Sequence, residues 1–258
     1  MNTTNTSRKI ALITGGSRGL GKDMALRLAQ RDNDIIITYN SKKDEAQSVV
    51  SEIQNLGKRA AALQLNTGNI AGLGSFSISL QAALQKEFGA GRFDFLVNNA
   101  GMGLVIPSFA ETTVEQFDEL MNVHFKGVFF LTQKLLPYIN DGGSILNIST
   151  GLTRISYPGS GAYASMKSAI ETLTRYLAKE LGSRNIRANV VAPGAIATDF
   201  GGGRLRESPQ IQEYVKSVTA LPRIGQPDDI GGVVAFLCSD DAKWVNAQRI
   251  EASGGMYV

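Results

Sequence analysis

At 258 residues and 43% hydrophobic, the chain can bury the core of one large α/β domain, with no repeat or composition shift to mark a second. A net charge of +3, scattered along the sequence, argues against nucleic acid or an anionic membrane as partner, and no apolar run approaches the ~20 residues of a membrane helix. Cys238 is the single cysteine, so no intramolecular disulfide forms, which suits a reducing, cytoplasmic setting. The polar start Met1–Ser7 lacks the apolar core of a secretion signal, so the sequons headed by Asn2 and Asn5 carry little weight.

Ile10–Thr14 is a short apolar run, as a buried parallel strand requires. It leads into Gly15-Gly16-Ser17-Arg18-Gly19-Leu20-Gly21, and Leu20, Met24 and Leu28 then follow at helical spacing. Strand, glycine turn and helix are the context of a dinucleotide site. Glycines let the backbone approach a pyrophosphate, and the helix N-terminus offers that anion free N–H groups. Ile35–Tyr39 reads as a second strand, followed by Asn40-Ser41-Lys42-Lys43 with no carboxylate before Asp44. An acidic residue there would hold a ribose 2′-hydroxyl. Its absence, with Arg18 in reach, favours a 2′-phosphate, so NADP(H) is expected and NAD(H) is the alternative.

Asp44–Leu56 reads as a helix and Ala60–Leu65 as a strand, and Asn66–Ser75 as an irregular loop or shortened helix. Ile78–Phe88 is expected as a helix and Phe93–Asn98 as a strand. Thr112-Thr113-Val114-Glu115 can form a capping box that opens a long helix, Glu115–Leu136. Ile145–Ser149 is a strand, Ala162–Leu181 a second long helix, and Ile186–Ala192 a strand. Gly194–Gln226, with its Gly201-Gly202-Gly203 run, follows a strand's C-terminal end, where ligands bind. Asp228–Leu237 is a helix and Arg249–Ala252 the last strand. The alternation predicts a single-domain, doubly wound Rossmann fold: a parallel sheet of about seven strands with helices on both faces.

Tyr163 and Lys167 lie four residues apart, on one face of the second long helix. A phenol titrates near pH ~10, and a nearby ammonium lowers that value. A tyrosine tuned this way can pass a proton at neutral pH. Together with Thr14-Gly15-x-x-x-Gly19-x-Gly21, Asn98-Asn99-Ala100-Gly101 and Pro193-Gly194, this pair resembles the single-domain short-chain dehydrogenase/reductases over nearly the whole chain.

That resemblance implies hydride transfer between a nicotinamide cofactor and a ketone, aldehyde or alcohol. It makes Tyr163 the proton donor, Ser149 the hydroxyl that steadies the oxygen, and Lys167 the group that tunes Tyr163 and holds the ribose. Asn122 would keep a water in place. Cofactor contacts are expected from Gly15, Ser17, Arg18, Gly19, Leu20, Gly21, Asn40, Ser41, Asn66, Thr67, Asn99, Ala100, Gly101, Tyr163, Lys167, Pro193, Gly194, Ile196 and Thr198. Asn66 stands where the family usually has an aspartate. Residues 194–226 would form a substrate lid.

Leu104, Ser149, Leu152, Ile155 and Phe200 suggest a largely apolar substrate pocket, and Arg154 could meet an anionic group or serve a surface role. A small carbonyl or alcohol of modest size is expected, with no metal. A homotetramer is favoured over a homodimer. Two alternatives stand beside this reading: a reductase of carrier-bound 3-oxoacyl chains, and a non-catalytic NADP-binding sensor or scaffold. His124, the only histidine, is two residues from Asn122 and so expected on another side of its helix, in a structural role. Cys238 is expected to be buried and inert, and Trp244 to serve packing.

Overall fold

The computed structural model describes residues 8–258, so the polar start and its two sequons lie outside the described residues. In chain order the elements are β1 (Ile10–Ile13), α1 (Gly19–Gln30), β2 (Asp34–Tyr39), α2 (Lys43–Asn55), β3 (Ala60–Gln64), α3 (Leu73–Phe88), β4 (Phe93–Asn98), α4 (Val114–Met121), α5 (Gly127–Leu135), β5 (Ile139–Ile148), α6 (Gly161–Glu180), β6 (Arg187–Pro193), α7 (Arg204–Glu207), α8 (Pro209–Ser217), α9 (Asp228–Leu237) and β7 (Arg249–Ala252). The seven strands form one parallel sheet in the order β3-β2-β1-β4-β5-β6-β7. The winding reverses between β1 and β4, and a crevice opens there at the strands' carboxyl ends.

The period-two alternation of the strands divides the core. Ala11 and Ile13 face a cluster with Met24 and Leu28 of α1, Val49 of α2 and Val234 of α9. Ile10 and Leu12 face Leu80 and Leu84 of α3, Leu131 of α5 and Leu181 after α6. Both faces of the sheet are therefore dry, which explains why its strands read as continuous apolar runs. A buried amide chain ties the second layer down. Asn98 donates to Thr132 of α5 (3.0 Å) and to Asn147 of β5 (2.8 Å), and Asn147 donates to Thr174 of α6 (2.9 Å).

Four local expectations change. The segment after β3 holds a 3₁₀ turn, Ile70–Gly72, capped by Asn69, and α3 begins at Leu73, five residues before Ile78. The capping box forms one residue later than read, between Thr113 and Gln116. The long helix is interrupted by a π turn, Asn122–Lys126, between α4 and α5. Trp244 is 96% exposed and packs against nothing substantial, whereas Cys238 is buried as expected, its thiol pushed up to about 12 by burial. Among the described residues no helix is long and apolar enough to cross a membrane.

Candidate active site

The glycine turn is folded tightly against its own backbone and its neighbours. Gly15 has φ +67°, and a Cβ on Gly21 would lie 2.1 Å from the Gly15 carbonyl oxygen, so α1 starts against the turn itself. Side chains lock the turn from below. Thr14 Oγ1 accepts from the N–H groups of Asn99 (3.0 Å) and Ala100 (2.9 Å), and the Asn99 amide donates to the carbonyls of Thr14 (2.8 Å) and Gly15 (3.1 Å). Asn99 thus shapes the cradle with its side chain, and Ala100 and Gly101 continue its wall.

No side chain caps α1, and its first turn holds no acidic residue. Ser17, Arg18, Gly19 and Leu20 therefore lead into free N–H donors suited to a pyrophosphate. Gly16 N–H bonds the Thr38 carbonyl at 2.9 Å, which sets the end of β2, with Asn40 and Ser41 beyond it, beside the turn. Arg18 is half-exposed and lies 3.6 Å from Asp199. Thr198 lies over Gly19, 3.7 Å from where its Cβ would stand. Gly194 is pinned to β7 by its bond to the Ala252 carbonyl (3.0 Å), and Ile196 bridges to Gly225. Asn66 turns its Oδ1 to the Gly68 N–H (3.0 Å), and Thr67 beside it is buried. A tight glycine turn, an uncapped helix start and a cation at its rim fit a phosphorylated dinucleotide.

Tyr163 and Lys167 share one face of α6, as their spacing requires. The Lys167 ammonium donates to the Ile148 carbonyl (2.7 Å) and lies 5.8 Å from the Tyr163 ring centre. Burial lowers Lys167 to about 8. Burial also raises Tyr163 above its ordinary value, against the lowering expected from Lys167, with Thr150 drawing it partly back through a hydrogen bond. The phenol therefore keeps its proton through neutral pH.

The hydroxyl beside Tyr163 belongs to Thr150, not to Ser149. Ser149 is buried, and its Oγ donates to the Glu171 carboxylate at 2.6 Å, away from the phenol. Successive residues at a strand end point to opposite sides, so a one-residue difference decides which hydroxyl enters the site. The sequence offered both, and only the structure separates them.

Asn122 stands at the junction of α4 and α5. It opens the π turn, and its carbonyl accepts the Gly127 N–H. No hydrogen bond links its side chain to Tyr163 or Lys167. His124, two residues on, is fully buried and meets the Tyr163 ring in a T-shaped contact, centres 5.0 Å apart. The widened turn swings residue 124 to a face that ideal α-helical spacing would deny it. Leu104 joins Tyr163 in a small apolar cluster with Leu120 and Met166, and Phe200 lies over the Tyr163 ring at 5.8 Å. Ile155 lines Gly151, while Leu152 contributes its N–H to Thr150 Oγ1 at 3.3 Å.

Arg154 is not free for a substrate anion. Its guanidinium bonds both oxygens of Glu251 (2.6 and 3.0 Å) and the carbonyls of Met256 (2.7 Å) and Tyr257 (3.2 Å). Glu251 also accepts from Arg249 (2.9 Å), which reaches on to Glu171 (2.8 Å). These bonds run from the wall of the site to the C-terminal tail. The tail in turn holds α8: Tyr257 N–H bonds the Val218 carbonyl (2.8 Å), and the Tyr257 and Tyr214 hydroxyls are in contact. Arg154 holds the Glu251 carboxyl down at about 2. A depressed carboxyl stabilises above its unfolded value of ~4.3 and loses that stabilisation as pH falls through the folded one. Arg154→Met should therefore lower Tm at neutral pH, with the gap to wild type closing between pH ~4.3 and about 2. A gap that is constant with pH in thermal melts would reject this ion pair as the cause.

A family model described as enoyl-(acyl carrier protein) reductase matches residues 15–257. The chain is 37% identical over 253 residues to short-chain dehydrogenase/reductase FrzI of Cladobotryum sp, covering 96% of this chain and 95% of that one. It is 35% identical over 260 residues to the NADPH-dependent aldehyde reductase-like protein, chloroplastic, of Arabidopsis thaliana, covering 96% of this chain and 93% of that one. Among solved structures, the angucycline C-6 ketoreductase LanV with bound NADP superposes with a TM-score of 0.91 at 35% identity, covering 96% of this chain and 95% of that one. With matches along almost its full length to proteins of one kind, and the glycine cradle and Tyr-Lys helix in place, the chain belongs to the short-chain dehydrogenase/reductase family.

Proposed function

We propose that this protein is an NADP(H)-dependent reductase of a small ketone or aldehyde, with Tyr163 as its proton donor. The observation that carries the reading is Tyr163 and Lys167 on one face of α6, with Lys167 bonded to Ile148 at the end of β5 and Thr150 beside the phenol. The NADPH-dependent and NADP-bound relatives support the cofactor. When bound, NADPH supplies the hydride, and the protein orients and polarises. The glycine turn and the α1 N-terminus would hold the pyrophosphate, and Lys167 the ribose beside the nicotinamide.

The substrate oxygen is then received by two hydroxyls. Thr150 donates to it and steadies its developing charge. Tyr163 gives its proton to the same oxygen. The raised Tyr163 keeps that proton available at neutral pH. Leu104 and Phe200 exclude water from the two sides and select an apolar substrate face. Assaying NADPH consumption against ketones, aldehydes, cyclic aromatic ketones and 3-oxoacyl thioesters tests the reading, and silence across the panel despite tight NADPH binding would favour the sensor reading.

Arg18 supports NADP over NAD, since β2 ends without a carboxylate. Arg18→Ala should weaken NADPH binding by ~10–100-fold, the scale of a lost charge-assisted contact of ~1.5–3 kcal/mol, and leave NADH nearly unchanged. Equal losses in fluorescence titrations of the two would sink the 2′-phosphate assignment. We further propose a cytoplasmic homotetramer. The exposed apolar residues Phe109, Val114, Phe117 and Phe129 around α4 and α5 support burial against another copy, which light scattering would test.

A further inference from the structure

Thr150 follows β5 in extended backbone, with φ −158° and ψ 155°. Its hydroxyl meets the Tyr163 phenol, while that of Ser149 leaves on the other side for Glu171. A rotation of this segment about its own axis would exchange the two hydroxyls. Two charged side chains grip it from behind the site: Arg249, the first residue of β7, and Glu171 of α6.

Glu171 lies one helical turn past Lys167, and its side chain is only 14% exposed. One of its oxygens, Oε1, accepts from Ser149 Oγ (2.6 Å), Thr153 Oγ1 (2.8 Å) and Arg249 Nε (2.8 Å). A hydroxyl has a single hydrogen. Thr153 Oγ1 lies 3.0 Å from the Thr150 carbonyl as well, but the carboxylate is the stronger acceptor and takes that hydrogen. The Thr153 oxygen then accepts from Arg249 Nη2 (3.0 Å). The Thr150 carbonyl is left to the other Nη2 hydrogen, at 3.2 Å, and to the Thr153 N–H at 3.4 Å. Nη1 of Arg249 goes to Glu251 (2.9 Å). The planar guanidinium fixes the directions of all these donors relative to one another.

We propose that Arg249 is a positioning residue: locked against Glu171, it grips the Thr150 carbonyl and keeps the Thr150 hydroxyl turned to Tyr163 and Ser149 turned away. The kinetic consequence rests on the reductase reading above, but the grip itself can be read without turnover. Strand alternation puts Arg249 and Glu251 on one face of β7. The same short strand therefore holds Arg154 at one residue and sets the site's hydroxyl at another. A misplacement of ~1 Å at a reacting group can cost ~10²-fold in rate, so a grip on the backbone matters to the chemistry.

A double-mutant cycle separates positioning from packing. Arg249→Met should lower kcat by ~10–10²-fold, with KM and NADPH affinity little changed. Because Arg249 acts through the Thr150 hydroxyl, adding Arg249→Met to Thr150→Ala should leave kcat within ~2-fold of Thr150→Ala alone. Losses that multiply in the double variant, or an unchanged kcat in Arg249→Met, would reduce Arg249 to packing and reject the proposal. Arg249→Met also leaves the Glu171 carboxylate without its cation. Should that variant not fold, the same cycle runs with Arg249→Lys, which keeps the charge, lacks the fork and should still lose ~10-fold in kcat. A crystal structure of the folded Arg249 variant reads the grip directly. The Thr150 hydroxyl is expected out of hydrogen-bond reach of Tyr163, and a Thr150 in its wild-type place would overturn the proposal. A wild-type protein silent on every carbonyl, with Thr150 displaced in the variant, would remove the reductase reading and support the grip.

Discussion

Tyr163→Phe should lower kcat for carbonyl reduction by ~10²–10⁴-fold, the range of a lost general acid, with NADPH affinity nearly unchanged. The substitution removes one oxygen and keeps the ring. The T-shaped contact with His124 and the Phe200 contact both depend on the ring, so the lid and the wall of the site keep their packing. Lys167 keeps its bond to Ile148. What disappears is the group that hands a proton to the substrate oxygen. Steady-state kinetics beside a fluorescence titration of NADPH separates the two effects. A variant with near wild-type turnover would remove Tyr163 from the chemistry.

The second large effect distinguishes neighbouring hydroxyls. Thr150→Ala should cost ~10²–10³-fold in kcat, as loss of one donor to a developing oxyanion does. Thr150→Ser keeps the hydroxyl and should stay far closer to wild type. Ser149→Ala should act on stability instead, because it takes a donor from the partly buried Glu171 carboxylate. A hydrogen bond to a charged group contributes ~1.5–3 kcal/mol, so thermal or urea unfolding should register the change. The opposite pattern, with kcat collapsing in Ser149→Ala and surviving in Thr150→Ala, would return the role to Ser149.

The sheet, its order of strands and helices, and the cofactor cradle were legible because their signals are periodic or local. An apolar run before Gly15 and a helical pattern after Gly21 leave little freedom to the intervening backbone. Tyr163 and Lys167 were legible because helical spacing alone puts them on one face. The misplaced residues share a different cause. Ser149 and Thr150 are adjacent hydroxyls at a strand end, and composition cannot say which points inward. His124 meets the Tyr163 ring where a π turn replaces α-helical geometry, and Asn122–Lys126 carries no proline or glycine to announce that turn. Arg154 looked available because its partners, Glu251 and the carbonyls of Met256 and Tyr257, lie about a hundred residues away in the chain. Trp244 looked like packing only because large aromatic residues usually are.

Gly201, Gly202 and Gly203 all have positive φ, a run that few other residues could follow, and the chain turns sharply there between Phe200 and α7. Beyond the lid, the last residues of the chain are part of the machinery. Met256 and Tyr257 are held by Arg154, and Tyr257 holds α8. This sets how the protein should be handled in practice. An affinity tag or a surface linkage belongs at the amino end, where Arg8 precedes β1 on the side of the sheet away from the cradle. A fusion after Val258 would pull on the two carbonyls that Arg154 holds at the wall of the site.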